Sequence, residues 1–345
     1  MHATPMFMNA PSWFLDVVQL AVAAGLIFLS AEVFVNGVEH LGRKLSFGAT
    51  ATGTILAAFG TALPESVVTL VAAVFAKSDA ERELAVGAAV GGPLALATIA
   101  YATVGVTLLV AGRALAAGPS ATWRRLSVDQ AWFLGLFAAK IGLGLVVFSG
   151  KPWCGIVFLL AYAVYVRREM TQADDLEALE PAPLFLAPRR GLDPSTAAVV
   201  LQTALAVGVI FFASRLFVGR LETLSPALGL SPQLTALLLS PIATELPETM
   251  NAIIWARQGK ARLALANISG AMMIQASVPT AIGLFFTPWR LAPESLLAAG
   301  ATAASILVLF FAFRSGRVTR ARLAGVGLLY VAFVAALFVM ERMVG

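Results

Sequence analysis

Long apolar runs separated by short polar stretches occupy almost the whole chain. A helix needs about 20 mostly apolar residues to cross a bilayer. Ten runs approach or exceed that length: 14–38, 50–76, 84–111, 132–148, 153–166, 197–218, 234–256, 263–286, 296–313 and 323–340. They are continuous and far longer than the strands of a membrane barrel. The pattern therefore predicts an all-α membrane protein with ten transmembrane helices.

Composition and charge agree with this prediction. Of the 345 residues, 59% are hydrophobic and 12% are charged, whereas soluble domains carry about 25% charged residues. The loops that follow the odd-numbered runs hold sixteen Lys and Arg residues, and the opposite side, with both termini, holds six. Because basic residues are enriched in cytoplasmic loops, we expect the central loop in the cytoplasm and both termini outside.

The two halves of the sequence are related to each other. Residues 27–65 align without a gap on residues 210–248, and thirteen positions are identical, including Thr, Pro and Glu. Each half has five runs, an odd number, so the second copy enters the membrane from the opposite side. The sequence thus predicts a first five-helix repeat over 1–166, a cytoplasmic linker over 167–195 and an inverted second repeat over 196–345. Inverted repeats are common in secondary transporters, with the substrate site between the copies.

A proline lies near the middle of the second and the seventh run. Proline removes the hydrogen bond to the carbonyl group four residues earlier, so Pro64 frees the carbonyl of Gly60 and Pro247 frees that of Ala243. A bound cation or water can satisfy such oxygens inside a bilayer.

Each proline is followed by an intramembrane carboxylate. Glu65 shares a helical face with Thr61, and Glu248 shares one with Thr244, because each pair is four residues apart. Ionisable residues inside a membrane indicate a functional site by default. Carboxylate, carbonyl and hydroxyl oxygens are the ligands of hard cations such as Ca²⁺, and the chain has one cysteine and two histidines for softer metals.

These segments resemble the two alpha-repeats of the calcium/cation antiporter superfamily, which includes the sodium/calcium exchangers. The matching stretches are GTILAAFGTALPESVVTLVAA and TALLLSPIATELPETMNAIIWARQGKARLALANISGA. The resemblance implies a ten-helix inverted-repeat exchanger in which Glu65 and Glu248 bind Ca²⁺ and Thr61 and Thr244 assist through side chain or backbone. No cofactor is implied beyond the transported ions, Ca²⁺ with Na⁺ or H⁺.

The chain departs from the family motifs at several positions. The family Ser after the motif Thr is Ala62 in the first copy and Glu245 in the second. Of the family pattern Gly-Asn-x-x-Gly-Ser-Asn in the next helix, the second copy retains Asn267. The first copy replaces its polar residues with Ala88, Gly92 and Pro93. Glu245 is then either a third cation ligand, a proton carrier or a buried neutral carboxyl group.

Several functional alternatives remain open on these residues. The leading expectation is an exchanger of Ca²⁺ for Na⁺ by alternating access, and exchange of Ca²⁺ or another divalent cation for H⁺ is the alternative. A non-transporting membrane protein with the same fold is a third. An enzyme is not expected, because the chain has neither an intramembrane histidine nor a P-loop. We expect a protein of the plasma or inner membrane whose partners are the lipid bilayer and inorganic cations, without nucleic acid; the oligomeric state is left open.

Two basic residues inside apolar runs have two interpretations. Lys140 and Arg215 could each neutralise a carboxylate. Long basic side chains near helix ends more often extend to the membrane surface or form structural pairs, and that interpretation is favoured here.

Overall fold

A computed structural model describes residues 12–44, 57–115, 121–171, 182–187 and 194–344. Over these ranges the chain is helical, with no strand among the described residues. The helices are α1 (Ser12–Lys44), α2 (Ala57–Val74), α3 (Asp79–Ala95), α4 (Tyr101–Val110), α5 (Ala121–Leu145), α6 (Cys154–Thr171), α7 (Thr196–Leu228), α8 (Pro232–Thr244), α9 (Leu246–Arg257), α10 (Ala261–Phe286), α11 (Pro293–Arg314), α12 (Arg320–Gly325) and α13 (Gly327–Val344). A π-helical turn, Leu96–Ala100, joins α3 to α4, and a 3₁₀ turn, Lys151–Trp153, precedes α6.

Seven helical stretches within the described ranges are long and apolar enough to cross a membrane. They are Trp13–Gly42, Asp79–Val110, Ala121–Leu145, Thr196–Leu228, Ala261–Phe286, Pro293–Arg314 and Arg320–Met340. The second predicted run appears as the shorter helix α2, and its residues 50–56 lie outside the described residues. The seventh run is divided into α8 and α9. The all-helical membrane architecture is confirmed, and the count of ten spanning segments stays a prediction.

Helix boundaries follow local sequence signals. Ser78, Ser195 and Ser231 cap α3, α7 and α8, each accepting a hydrogen bond from the backbone N–H three residues later, as N-cap serines typically do. Helix α7 ends at Gly229, whose φ of 67° belongs to the left-handed region that glycine adopts without strain.

The first helices of the two halves, α1 and α7, pack against each other. Gln202, early in α7, donates to Asn36, late in α1, over 2.9 Å. Arg220, late in α7, forms an ion pair with Asp16, early in α1, at 2.8 Å. The two matching helices are therefore antiparallel.

The next helices pair across the halves. Helix α3 packs against α8, and α10 packs against α2. Glycines allow a close approach of the first pair. A Cβ atom at Gly87 would lie 2.0 Å from the Gln233 carbonyl oxygen, and one at Gly91 would lie 2.4 Å from that of Leu237. Small residues bring membrane helices together in this way.

The helix ends line cavities at two ends of the bundle. A cavity of about 880 Å³ is lined by the start of α5, the end of α6 and the end of α11, including Arg124, Arg168 and Arg314. A second cavity, of about 420 Å³, is lined by the start of α3, by Ser231 before α8 and by the residues before α11. Because α11 has 22 residues, it spans about 33 Å between the two cavities.

Candidate cation site

The seventh predicted run is interrupted where its carboxylates begin. Pro241 lies within α8, Pro247 lies in the first turn of α9, and Glu245 lies between the two helices with φ −100° and ψ −3°. Two prolines six residues apart each remove one helical hydrogen bond. In the first copy Pro64 lies inside α2, which continues through it. The discontinuity is therefore found in the second copy alone among the described helices.

Thr244 connects carboxylates from the two halves. Its Oγ1 atom lies 2.9 Å from Glu65 Oε2, 2.9 Å from Glu245 Oε1 and 3.2 Å from the Ser240 carbonyl oxygen. Glu65, Thr244 and Glu245 are at most 3% exposed. The structure thus brings together three of the residues that the sequence analysis selected.

Gln275 of α10 completes this group, and the sequence analysis did not select it. Its Nε2 atom donates to Glu245 Oε2 over 2.7 Å. Gly92 of α3 borders the same carboxylate, since a Cβ atom there would lie 3.1 Å from Glu245 Oε1 and 3.0 Å from Gln275 Oε1. A neutral amide within an apolar run, eight residues after Asn267, is the only signal the sequence offered.

The other predicted ligands lie on α2, α8, α9 and α10. Glu248 is fully buried in the first turn of α9, and Asn267 of α10 is 2% exposed. Ala243, whose carbonyl Pro247 leaves without a helical donor, is fully buried in α8. Gly60 lies in α2 four residues before Pro64, and the Thr61 side chain lies outside the described residues.

Among the described residues, the buried oxygen atoms without a hydrogen-bond partner include Glu65 Oε1, Asn267 Oδ1 and Gln275 Oε1. Such atoms are costly to bury unless a partner reaches them. Within the described ranges no three His, Cys, Asp or Glu side chains gather into a metal-binding group. A cation here would be ligated by few carboxylates together with amide, hydroxyl and carbonyl oxygens, a set that suits a hard ion.

Lys140 does not extend to the membrane surface. Its side chain is fully buried, and its Nζ atom donates to the Ala89 carbonyl oxygen over 2.7 Å. The ammonium group interacts electrostatically with Glu65. Of the two forms of the favoured interpretation, extension to the membrane surface is wrong for Lys140, whereas a structural pairing agrees with its hydrogen bond to Ala89. Arg215 is half-buried, and its guanidinium lies 5.4 Å from the centre of the Phe75 ring, which is a structural pairing.

A helical membrane bundle with buried carboxylates at a helix break has the features of a secondary cation transporter. The family model described as "Sodium/calcium exchanger protein" matches residues 15–168 and 198–339. The chain belongs to this family of membrane transport proteins, and the aligned segments 27–65 and 210–248 lie within the matched ranges.

Individual relatives agree with this assignment. The protein CaxA of Alkalimonas amylolytica is 26% identical over 334 residues, which cover 92% of this chain and 97% of that protein. Among solved structures, the H⁺/Ca²⁺ exchanger CAX superposes with a TM-score of 0.73 at 16% identity, covering 95% of this chain and 82% of that one. The sodium-calcium exchanger NCX_Mj gives 0.59 at 18% identity, covering 94% and 99%. At these identities the two structures establish the fold.

Proposed function

We propose that this protein is an antiporter that exchanges Ca²⁺ for protons across the plasma or inner membrane. The transported cation binds at Glu65, Thr244 and Glu245, with Glu248, Asn267, Thr61 and the carbonyl oxygens of Gly60 and Ala243 as further ligands. Binding and release alternate between the two sides of the membrane.

The number of protons available at Thr244 supports this function. The hydroxyl group has one hydrogen atom, but two carboxylate oxygens lie 2.9 Å from its oxygen. Thr244 can donate to one of them. The other short contact is satisfied when that carboxyl group carries a proton and donates it, or when a cation lies between the oxygens. Protons and cations are therefore alternative occupants of the same place, as exchange requires.

The positions of the polar side chains favour protons over sodium as the coupling ion. Na⁺ needs several neutral oxygen ligands, and the first copy has Ala88, Gly92 and Pro93 where the family pattern has polar residues. Glu245 instead adds a group that can bind a proton.

The contacts between helix ends support ten segments in two inverted repeats. The antiparallel contact of α1 and α7 is the relation expected for oppositely inserted copies. The 880 Å³ cavity is lined by residues that follow the third, fifth and ninth predicted runs. The 420 Å³ cavity is lined by residues that follow the second, sixth and eighth runs. If all ten runs cross the membrane, the odd-numbered runs end on one side and the even-numbered runs end on the other. The two cavities then lie on opposite sides. By the distribution of basic residues, the first cavity faces the cytoplasm and both termini lie outside.

Flux measurements on purified protein in lipid vesicles test this function. We expect an outwardly directed proton gradient to drive radiolabelled Ca²⁺ into wild-type vesicles and a sodium gradient of equal size to drive none. Glu65→Gln and Glu248→Gln should abolish uptake. Glu222→Gln is the matched control, because Glu222 accepts a hydrogen bond from Ser78 at 2.6 Å, outside the site.

Each of the other outcomes contradicts a defined part of the proposal. Uptake driven by sodium alone would contradict proton coupling. Uptake that survives both site substitutions would contradict the site. Absence of flux under either gradient, in protein that remains folded, would leave a non-transporting member of the family.

A further inference from the structure

Lys140 is a fully buried basic residue beside the proposed site. Its Nζ atom donates to the Ala89 carbonyl oxygen over 2.7 Å and lies 5.2 Å from the centre of the Phe137 ring. A carbonyl oxygen and an aromatic face both stabilise a positive charge. Its own backbone carbonyl accepts a hydrogen bond from the Trp289 indole over 3.0 Å, which fixes this turn of α5.

The Ala89 carbonyl oxygen can accept a hydrogen bond from Lys140 because a proline lies four residues later in α3. Pro93 lies within α3, four residues after Ala89, and has no N–H group to donate back to it. Pro93 also stands where the family pattern has its second asparagine. The substitution therefore removes a polar side chain and, in the same helix, creates an acceptor that Lys140 uses.

The ammonium group binds α3 one turn before the residue that borders the carboxylates of the site. Gly92 follows Ala89 by one helical turn, a rise of about 5 Å, and borders Glu245 and Gln275. Glu245 is joined through Thr244 to Glu65, and Lys140 interacts electrostatically with Glu65. A buried carboxylate needs such compensation, because an isolated charge is costly inside a membrane.

We propose that Lys140 is a tethered cation, meaning that its ammonium group occupies a place beside Glu65 that a monovalent ion would otherwise fill. This inference rests on the proposed function and deepens it. It explains why the chain can do without the family's polar side chains at positions 88, 92 and 93. Those side chains would bind a monovalent cation, whereas here Lys140 itself supplies the positive charge. It also makes Lys140 a determinant of ion specificity, since its charge repels any second cation near Glu65.

The first test measures Na⁺ binding through thermal unfolding of the purified protein. A ligand that binds only the folded state raises the unfolding temperature Tm. In Lys140→Met the vacated place is open, so we expect NaCl to raise Tm by roughly 2 °C or more relative to choline chloride at equal concentration. Wild type and Lys140→Arg, which keep the charge, should show no such difference.

Lys151 provides a matched control. It is also buried, and its Nζ atom donates only to carbonyl oxygens, those of Val146, Pro288 and Trp289, among the described residues. Lys151→Met removes the same number of charges and should not create a response to Na⁺. An equal response in Lys140→Met and Lys151→Met, or a response already present in wild type, would overturn the proposal.

Ca²⁺ transport gives a second measurement. With both proteins measured at the same pH, we expect the apparent KM of Lys140→Met for Ca²⁺ to be about tenfold lower than that of wild type, as the loss of 1.4 kcal/mol of charge repulsion would give. Lys140→Arg should keep the wild-type KM. A purely structural role would instead lower the maximal rate in both variants and leave KM unchanged, and that result would contradict the tethered cation.

A double substitution covers the case in which Lys140→Met alone destabilises the protein. Lys140→Met leaves the charge of Glu65 without a neighbouring positive charge. The double variant Lys140→Met/Glu65→Gln should therefore recover most of the Tm that Lys140→Met loses. Additive losses in the double variant would show that the two residues are not coupled and would refute the inference. The Tm comparison does not depend on transport activity. The coupling of Lys140 to Glu65 can therefore fail this test while the proposed function, which is tested by wild-type flux, still holds.

Discussion

The hydroxyl group of Thr244 is the contact by which the proposed site is most directly tested. Thr244→Val keeps the shape of the side chain and removes the hydroxyl, leaving Glu65 Oε2 and Glu245 Oε1 without the donor that lies 2.9 Å from each. A hydrogen bond to a charged group contributes about 1.5–3 kcal/mol. If transport depends on this contact, proton-driven Ca²⁺ uptake should fall by roughly 10- to 100-fold.

Two further variants separate this effect from a loss of packing. Thr244→Ser retains the hydroxyl and should keep uptake within about fourfold of wild type, since the lost methyl group contributes about 0.8 kcal/mol. Thr235→Val is the matched control, because Thr235 is fully buried in the same helix and donates only to the Ser231 carbonyl oxygen, at 2.9 Å. We expect it to transport normally.

The assay is initial-rate uptake of radiolabelled Ca²⁺ into vesicles that contain equal amounts of folded protein. Wild-type uptake by Thr244→Val would refute the role of the hydroxyl. An equal loss of uptake in Thr244→Val and Thr235→Val would show that buried threonines of α8 matter for stability. The contact of Thr244 with the two carboxylates would then have no specific role in transport.

Three other predictions concern coupling, packing and topology. Glu245→Gln keeps the shape but cannot carry a transferable proton, so proton-driven uptake should fall at least ~10-fold; unchanged uptake would exclude Glu245 as a proton carrier. Gly87→Ala places a methyl group 2.0 Å from a carbonyl oxygen of α8 and should lower Tm by several degrees, whereas Gly208→Ala, with no atom within 4 Å, should not. In a background without the native cysteine, Arg290→Cys should react with an impermeant thiol reagent added outside intact cells and Arg314→Cys should not; reaction of both would contradict the topology.

Much of the fold could be predicted because it depends on hydrophobic length and on the repeat. The antiparallel contact of α1 and α7 agrees with the odd number of runs in each half. The helix break at Glu245 could be located only in part, since both copies have a proline before their motif Glu. The second copy has Pro241 as well as Pro247, whereas α2 absorbs Pro64 as a continuous helix. Motif spacing alone gives no measure of how much strain a helix tolerates.

The candidate site was predictable where residues share a helix and less so where they meet across helices. Thr244 and Glu245 adjoin the motif, and the contact with Glu65 agrees with the expected meeting of the two copies. Gln275 belongs to no motif and reaches Glu245 only because α10 packs nearby. The direction of Lys140 depends on which backbone carbonyl of α3 lacks a donor, a property of the neighbouring helix.

The departures from the family pattern match one another in space, and this distinguishes rebuilding from loss. Gly92 stands where the family has a serine, and a Cβ atom there would lie 3.1 Å from Glu245 Oε1. Glu245 itself replaces the motif serine of the second copy, so the missing side chain at Gly92 leaves room for this larger residue. Pro93 removes an asparagine and frees the Ala89 carbonyl, to which Lys140 donates. At Gly92 and Pro93 the lost neutral ligand is matched by a buried ionisable group, Glu245 and Lys140 respectively. Because charges are costly inside a membrane, keeping both groups there fits the proposed exchange of ions at this site.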